Sequence, residues 1–216
     1  MPRTSPLLQL AVDTLSLDDA MRLVERVYPH FDILEVGTPL IIEEGLAPVE
    51  QLKRRFGDKQ CLADLKIMDA GRLEASSGFR RGADIVTVLG AADDETIRGA
   101  LEAAAEAGGR LMADLINVAD PVHRARELVD LGVHILCLHT AYDLRDRGID
   151  PLGELHGVRP VVSCPLAIAG GIALSQAREA VARGADIVIV GGGISNQPDP
   201  AAAAAAILAS IREPDP

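Results

Sequence analysis

The run Asp64-Leu65-Lys66-Ile67-Met68-Asp69 places two acids and a base close together in the chain. If the run leaves a β-strand, Asp64 and Lys66 face the same way, because side chains alternate along a strand. A lysine taken out of water tends to lose its proton, whereas neighbouring carboxylates keep it charged. Asp13, Asp64 and Asp69 are the candidate neighbours. A cation fixed in this way stabilises a developing oxyanion, such as an enediolate. Glu35 and Asp64 fall in neighbouring apolar runs, and two such acids can share a Mg2+ ion, which prefers oxygen ligands. Asp114 and His139 close two further runs. A lone Asp at a strand end is equally readable as a helix N-cap, so both readings stay open for Asp114. A lone His there is more often structural. Polar residues at five strand ends, one of them an Asp-x-Lys pair, exceed what capping alone explains.

The elements that must position these residues are legible as a repeat. Short apolar runs occur at Leu8–Val12, Ile33–Val36, Cys61–Leu65, Ile85–Leu89, Arg110–Leu115, Ile135–Leu138, Leu166–Ala169 and Ile187–Val190. Most are too short for helices and suit buried strands. Amphipathic segments lie between them: Ser16–Tyr28, Asp93–Ala107, Asp120–Leu131, Leu174–Arg183 and Asp199–Arg212. Strand alternating with helix predicts a parallel sheet. Eight units in one small domain predict an α/β single-domain (β/α)8 TIM barrel. It would occupy about residues 7–212 of the 216, with short frayed termini such as Pro214-Asp-Pro216. An open doubly wound sheet is the rival, but it would carry a Gly-rich turn after the first strand. Asp13-Thr-Leu-Ser16 is not one. By parity Leu62 lies in the core below Asp64, Cys137 lies below His139, and Cys61 faces the helices. The segment Arg81-Gly-Ala-Asp-Ile-Val86 recurs as Arg183-Gly-Ala-Asp-Ile-Val188. It reads either as a trace of duplicated halves or as a helix–Gly–strand connection used twice.

In such a barrel the active site sits at the C-terminal strand ends. Two glycine clusters follow the last two runs, Gly170-Gly171 and Gly191-Gly192-Gly193. Backbone N–H groups there would cradle a phosphate, unless the clusters are only tight turns. A net charge of −11 argues against binding nucleic acid. It does not exclude a phosphate held by backbone donors. Three cysteines without a CxxC pair predict reduced thiols in a cytoplasmic protein. The N-terminus lacks the apolar stretch of a signal peptide, and no run is long enough for a membrane span.

These residues also resemble a known family. Asp64-x-Lys66-x-x-Asp69 is similar to the signature of the orotidine 5'-monophosphate decarboxylase superfamily. The longer run Ala63–Gly71 resembles its 3-hexulose-6-phosphate synthase branch. So do Glu35-Val-Gly-Thr-Pro39, Glu44-Gly-Leu46, Ala83–Gly90 and Ile189–Ile194. The resemblance runs from about Leu8 to Ile211. It implies a reversible, Mg2+-dependent aldol condensation of formaldehyde with ribulose 5-phosphate through an enediolate. Glu35 and Asp64 would hold the metal, Lys66 would add positive charge, and His139 would transfer the proton. Asp13 would orient Lys66 or a sugar hydroxyl. Asp114 and Gly170, Gly171, Gly191 and Gly192 would contact substrate and phosphate. Asp69 would serve the neighbouring subunit's site in a homodimer.

The related 3-keto-L-gulonate-6-phosphate decarboxylases carry His-x-x-Arg after strand six, where this chain has His139-Thr-Ala-Tyr142. They also carry an Arg in the phosphate loop, where this chain has glycines. Both departures favour the synthase. Ala141 in place of Gly, and the segment 157–166, depart from the synthase pattern, and the segment is expected to affect the pocket wall. A non-catalytic phosphosugar-binding protein would keep the glycine loops but could dispense with Lys66, His139 or a metal ligand. All are present.

Overall fold

The computed structural model describes residues 5–147, 150 and 152–213, the side chains of 145–147 excepted. The expected fraying of Pro214-Asp-Pro216 falls outside the described residues. Eight parallel strands form the barrel: β1 (Leu7–Val12), β2 (Ile33–Val36), β3 (Gln60–Ile67), β4 (Ile85–Leu89), β5 (Arg110–Asp114), β6 (Ile135–His139), β7 (Leu166–Ala169) and β8 (Ile187–Val190). Each pairs with the next in sequence, and β8 pairs back onto β1, with Leu8 opposite Val188. The sheet is therefore closed, and the doubly wound alternative is excluded.

Parity sorts the side chains into two cores. Ile33, Leu62, Ile85, Met112, Ile135, Cys137, Ala167 and Ile187 fill the barrel interior. Leu8, Leu10, Leu34, Cys61, Val86, Leu111 and Val188 face the surrounding helices. Strands covered on both faces read as nearly unbroken apolar runs. Leu62, Cys137 and Cys61 lie where alternation predicts.

The helices are α1 (Leu17–Val27), α2 (Thr38–Glu44), α3 (Ala47–Arg55), α4 (Gly71–Arg80), α5 (Asp94–Ala107), α6 (Pro121–Leu131), α7 (Leu155–Val158), α8 (Leu174–Ala182), α9 (Gly192–Ser195) and α10 (Pro200–Arg212). Ser16, Asp93, Asp120 and Asp199 start four of them by accepting backbone N–H groups of the first turn. Pro121 and Pro200 occupy first helical positions, where no N–H is needed.

The N-terminal rim of the barrel is tied by a repeated device. The residue before each even-numbered strand accepts an N–H from the start of the preceding odd-numbered strand. Asp32 accepts from Leu8 (2.9 Å), Asp84 from Cys61 (2.7 Å), His134 from Leu111 (3.0 Å) and Asp186 from Leu166 (2.9 Å). Each Asp also binds a cation: Arg212, Lys53 and Arg159 respectively. This explains the recurring Arg-Gly-Ala-Asp-Ile-Val without reference to ancestry. Gly82 and Gly184 take positive φ after their helices, and Asp84 and Asp186 latch the strands.

Candidate active site

At the opposite, C-terminal rim a cavity of about 550 Å3 opens. Asp13, Glu35, Asp64, Lys66, His139, Gly170, Gly171, Gly191 and Gly192 all line it. Two expected residues do not. Asp114 lies beneath, buried against Lys66 and His139, so it acts on the site through those side chains rather than as a wall for phosphate. Asp69 is exposed, and its Oδ1 accepts the N–H of Ala70. The segment 157–166 contributes nothing to the cavity wall either. It runs toward the start of β7, where Arg159 ties it to Asp186 and to the carbonyls of Val162 and Cys164.

Lys66 stands between two acids. Its Nζ lies 2.9 Å from Asp64 Oδ2 and 3.0 Å from Asp114 Oδ2. Burial alone would lower the lysine's pKa; the two carboxylates overcome this and hold it above the ordinary range. It is therefore a fixed cation at neutral pH. Its backbone is unusual as well. The β3–β4 register shifts between Ala63 and Ile67, and Lys66 has φ +46°. For a non-glycine residue such a conformation costs on the order of 1–3 kcal/mol and persists only where its surroundings enforce it.

Asp114 divides its oxygens. Oδ1 accepts the N–H of Ile116, the turn contact expected of an Asp at a strand end. Oδ2 meets both Lys66 Nζ and His139 Nδ1, the latter at 2.8 Å. Burial works to raise its pKa, but His139, Lys66 and the Ile116 N–H together hold it below the usual value. An ionised carboxylate only accepts, so the Nδ1–H of His139 is the donor in this contact.

Glu35 is the counterweight. Its Oε2 accepts from Gln9 Nε2 at 2.7 Å. Burial, then repulsion by Asp64, pushes its pKa up to about 8, and the Gln9 hydrogen bond only partly offsets them. Acids thus outnumber the one lysine around this point. Glu35 and Asp64 offer oxygen donors where a divalent cation would relieve their repulsion, a set suited to Mg2+ with water or ligand oxygens completing it. Gln9 Oε1 is a further buried acceptor without a hydrogen-bond partner. Among the described residues no three His, Cys, Asp or Glu side chains converge as a complete protein-built metal cage.

The glycines make room. A Cβ on Gly37 would lie 2.1 Å from Asp13 Oδ1, and one on Gly191 would lie 3.1 Å from Asp13 Oδ2. Gly170 and Gly171 have φ +95° and +80°, and a Cβ on Gly170 would strike the Thr140 carbonyl at 2.2 Å.

Three residues of this constellation escape sequence reasoning: Gln9, Thr38 and Thr87. Thr38 Oγ1 is 2.8 Å from Asp64 Oδ2, and Thr87 Oγ1 donates to Asp64 Oδ1 at 2.8 Å. The available signal was a single polar residue inside an apolar strand, Gln9 in β1 and Thr87 in β4.

Residues 6–207 match the model of the orotidine 5'-phosphate decarboxylase / HUMPS family. The chain belongs to this family. Among its members, the chain is 46% identical to 3-hexulose-6-phosphate synthase 2 of Staphylococcus saprophyticus, covering 91% of this chain and 93% of that one. It is 45% identical to 3-hexulose-6-phosphate synthase of Bacillus subtilis, over 90% and 93% of the two chains. The solved structure of 3-hexulose-6-phosphate synthase from Salmonella typhimurium superposes with a TM-score of 0.92 at 39% identity, covering 95% of this chain and 98% of that one. A 3-keto-L-gulonate-6-phosphate decarboxylase from Vibrio cholerae superposes with a TM-score of 0.85 at 27% identity, over 98% and 100%. The family resemblance read from Asp64-x-Lys66-x-x-Asp69 is thus borne out, and the synthases are the more similar of these members.

Proposed function

We propose that the chain catalyses the reversible aldol condensation of formaldehyde with D-ribulose 5-phosphate to hexulose 6-phosphate. The observation that carries this reading is Lys66, held charged by Asp64 and Asp114 in a cavity that two glycine loops also line. The relatives that bear the name 3-hexulose-6-phosphate synthase supply the reaction.

A proton leaves C1 of the ketose, and negative charge spreads over the oxygens at C1 and C2. C1 then attacks the formaldehyde carbon, and the new alkoxide takes up a proton. Lys66 stabilises the enediolate charge. His139, its Nδ1 anchored on Asp114, moves the proton through Nε2. Asp13 orients a sugar hydroxyl, and the backbone of Gly170, Gly171, Gly191 and Gly192 receives the phosphate. Mg2+, held by Glu35 and Asp64, would act as a Lewis acid toward the substrate oxygens. The decarboxylase alternative is disfavoured because Tyr142 stands where that branch has Arg.

Asp69, exposed in one chain, reaches the site of a second copy in a homodimer. Ile42, Met68 and Leu73 are large apolar side chains exposed around the same strand ends, as suits a covered face. We propose a cytoplasmic location, which three cysteines without a CxxC pair support.

The test is formaldehyde consumption with ribulose 5-phosphate, with Mg2+ and with a chelator, alongside 3-keto-L-gulonate 6-phosphate. Rapid Mg2+-dependent consumption is expected. CO2 release from the keto-acid without formaldehyde consumption would overturn the reading in favour of the decarboxylase. Size measurement in solution tests the dimer, and a monomer that retains full turnover would remove Asp69 from the mechanism.

A further inference from the structure

We infer that Thr87 is a positioning residue for this reaction: its one hydroxyl holds the Lys66 backbone and the Asp64 carboxylate in a single working arrangement. The inference deepens the proposed function and rests on it for the identity of the reaction, but not for the geometry.

The argument begins with a broken ladder. β3 and β4 are in register through Ala63, then shift, and resume at Ile67. Lys66 lies inside the break with φ +46°. Its N–H donates instead to Thr87 Oγ1, at 2.9 Å. The same Oγ1 lies 2.8 Å from Asp64 Oδ1. A hydroxyl has one proton and can accept through its lone pairs. The amide can only donate, so the hydroxyl accepts from Lys66 and its proton goes to Asp64. No alternative orientation satisfies both partners. The direction of the hydrogen bonds is therefore set, and with it the face that Asp64 turns toward Lys66 through Oδ2.

Thr87 is well placed to impose this. It is buried, and its strand pairs with β5 through Thr87 opposite Met112, which fixes the backbone from the other side. Its β-branched side chain has restricted χ1 freedom. Thr87 does not itself line the 550 Å3 cavity but lies beneath it, behind Asp64 and Lys66, so its effect on a substrate passes through those two side chains. Val shares the β-branched outline of Thr, so Thr87→Val removes the hydroxyl with little change of shape.

The experiment compares the wild-type enzyme with Thr87→Val, which keeps the shape, Thr87→Ala, which tolerates relaxation, and Thr87→Ser, which keeps the hydroxyl. Turnover, KM for ribulose 5-phosphate and crystal structures are measured for each. For Thr87→Val and Thr87→Ala we expect kcat to fall about 10- to 100-fold, the range usual for outer partners of a site. KM should change by less than about two-fold, since the phosphate contacts are untouched. Thr87→Ser should recover most of the turnover. In crystals of the Val or Ala variant, Asp64 should rotate or Lys66 should leave its left-handed conformation.

Normal turnover in Thr87→Val overturns the inference, as does an equal loss in Thr87→Ser, which would assign the effect to packing. If Thr87→Val does not fold, Thr87→Ala is read in its place. If the wild-type enzyme ignores formaldehyde and ribulose 5-phosphate, the proposed function fails by itself. The crystal structures then decide the positioning role: unmoved Asp64 and Lys66 reject it, and displaced ones uphold it.

Discussion

Aspartates at the two rims of this barrel meet different partners. At the N-terminal rim Asp32, Asp84 and Asp186 each take a strand N–H and a cation, so each negative charge is matched locally. At the C-terminal rim Asp13, Glu35 and Asp64 share one cavity with a single lysine and Asp114 lies beneath it, and Glu35 is left with its pKa pushed up to about 8 by burial and by Asp64. The same residue type therefore does two jobs. Where donors match acceptors, charge closes the sheet. Where acids outnumber the one lysine, the fold retains a repulsion that a bound cation can relieve. Conflict of this kind between local preference and site geometry is what functional sites tolerate.

If the rims divide labour in this way, substitutions at each should fail in different assays. The largest effect is expected for Lys66→Ala. Turnover should fall by at least about 10²- to 10³-fold, as for loss of an oxyanion-stabilising group, while the circular dichroism spectrum stays that of a folded barrel. Near-normal turnover would break the comparison at its centre. Asp186→Ala should do the reverse. It strands the Leu166 N–H and takes from Arg159 its carboxylate partner, costing about 2 kcal/mol in urea unfolding, with kcat preserved. A variant of unchanged stability but poor turnover would show that the lower rim is not merely a latch.

Titration sharpens the contrast further. A glutamate normally near 4.5 is raised to about 8 at Glu35. Between these values the folded protein holds a proton that the unfolded chain releases. Stability of the metal-free protein should therefore fall as pH rises through that window. Thermal melts with chelator present should show this slope, and Glu35→Gln should flatten it. A slope that survives in Glu35→Gln would place the titrating group elsewhere.

The smallest effect belongs to His134, the one lower-rim latch that is not an acid. Burial, then the nearby Arg110, lowers its pKa below 6.5. Its contribution is fully present above pH 6.5 and is lost as pH falls through the folded value. His134→Gln keeps an acceptor without a titration, so its melting temperature should be less sensitive to acid. Equal sensitivity in both proteins would remove His134 from the latch set.

Much of this was legible in the residues. Parity placed Leu62 and Cys137 inside and Cys61 outside, because strand alternation is local. Asp64 and Lys66 do converge, even though the strand is distorted between them. Asp114 was readable only as an alternative between turn and site, and the structure shows why: one oxygen serves each role. Its partnership with Lys66 spans 48 positions and joins strands that are not neighbours, so it exists only once the barrel closes. Thr87 and Gln9 were hidden for a related reason. A single polar residue in an apolar strand shows its purpose only when the neighbouring strand supplies a carboxylate.

The latches at the lower rim always join an odd strand to the even strand that follows it. In these four N–H latches the closed sheet is stitched as four two-strand segments. A chain severed at Gly108, between β4 and β5, keeps each of the four N–H bonds within one fragment or the other and leaves the Asp32–Arg212 ion pair to join the two. A chain severed between β3 and β4 parts Asp84 from Cys61. The barrel is in this sense modular at the scale of a strand pair, and fragments cut at the seams are the ones suited to reassociate.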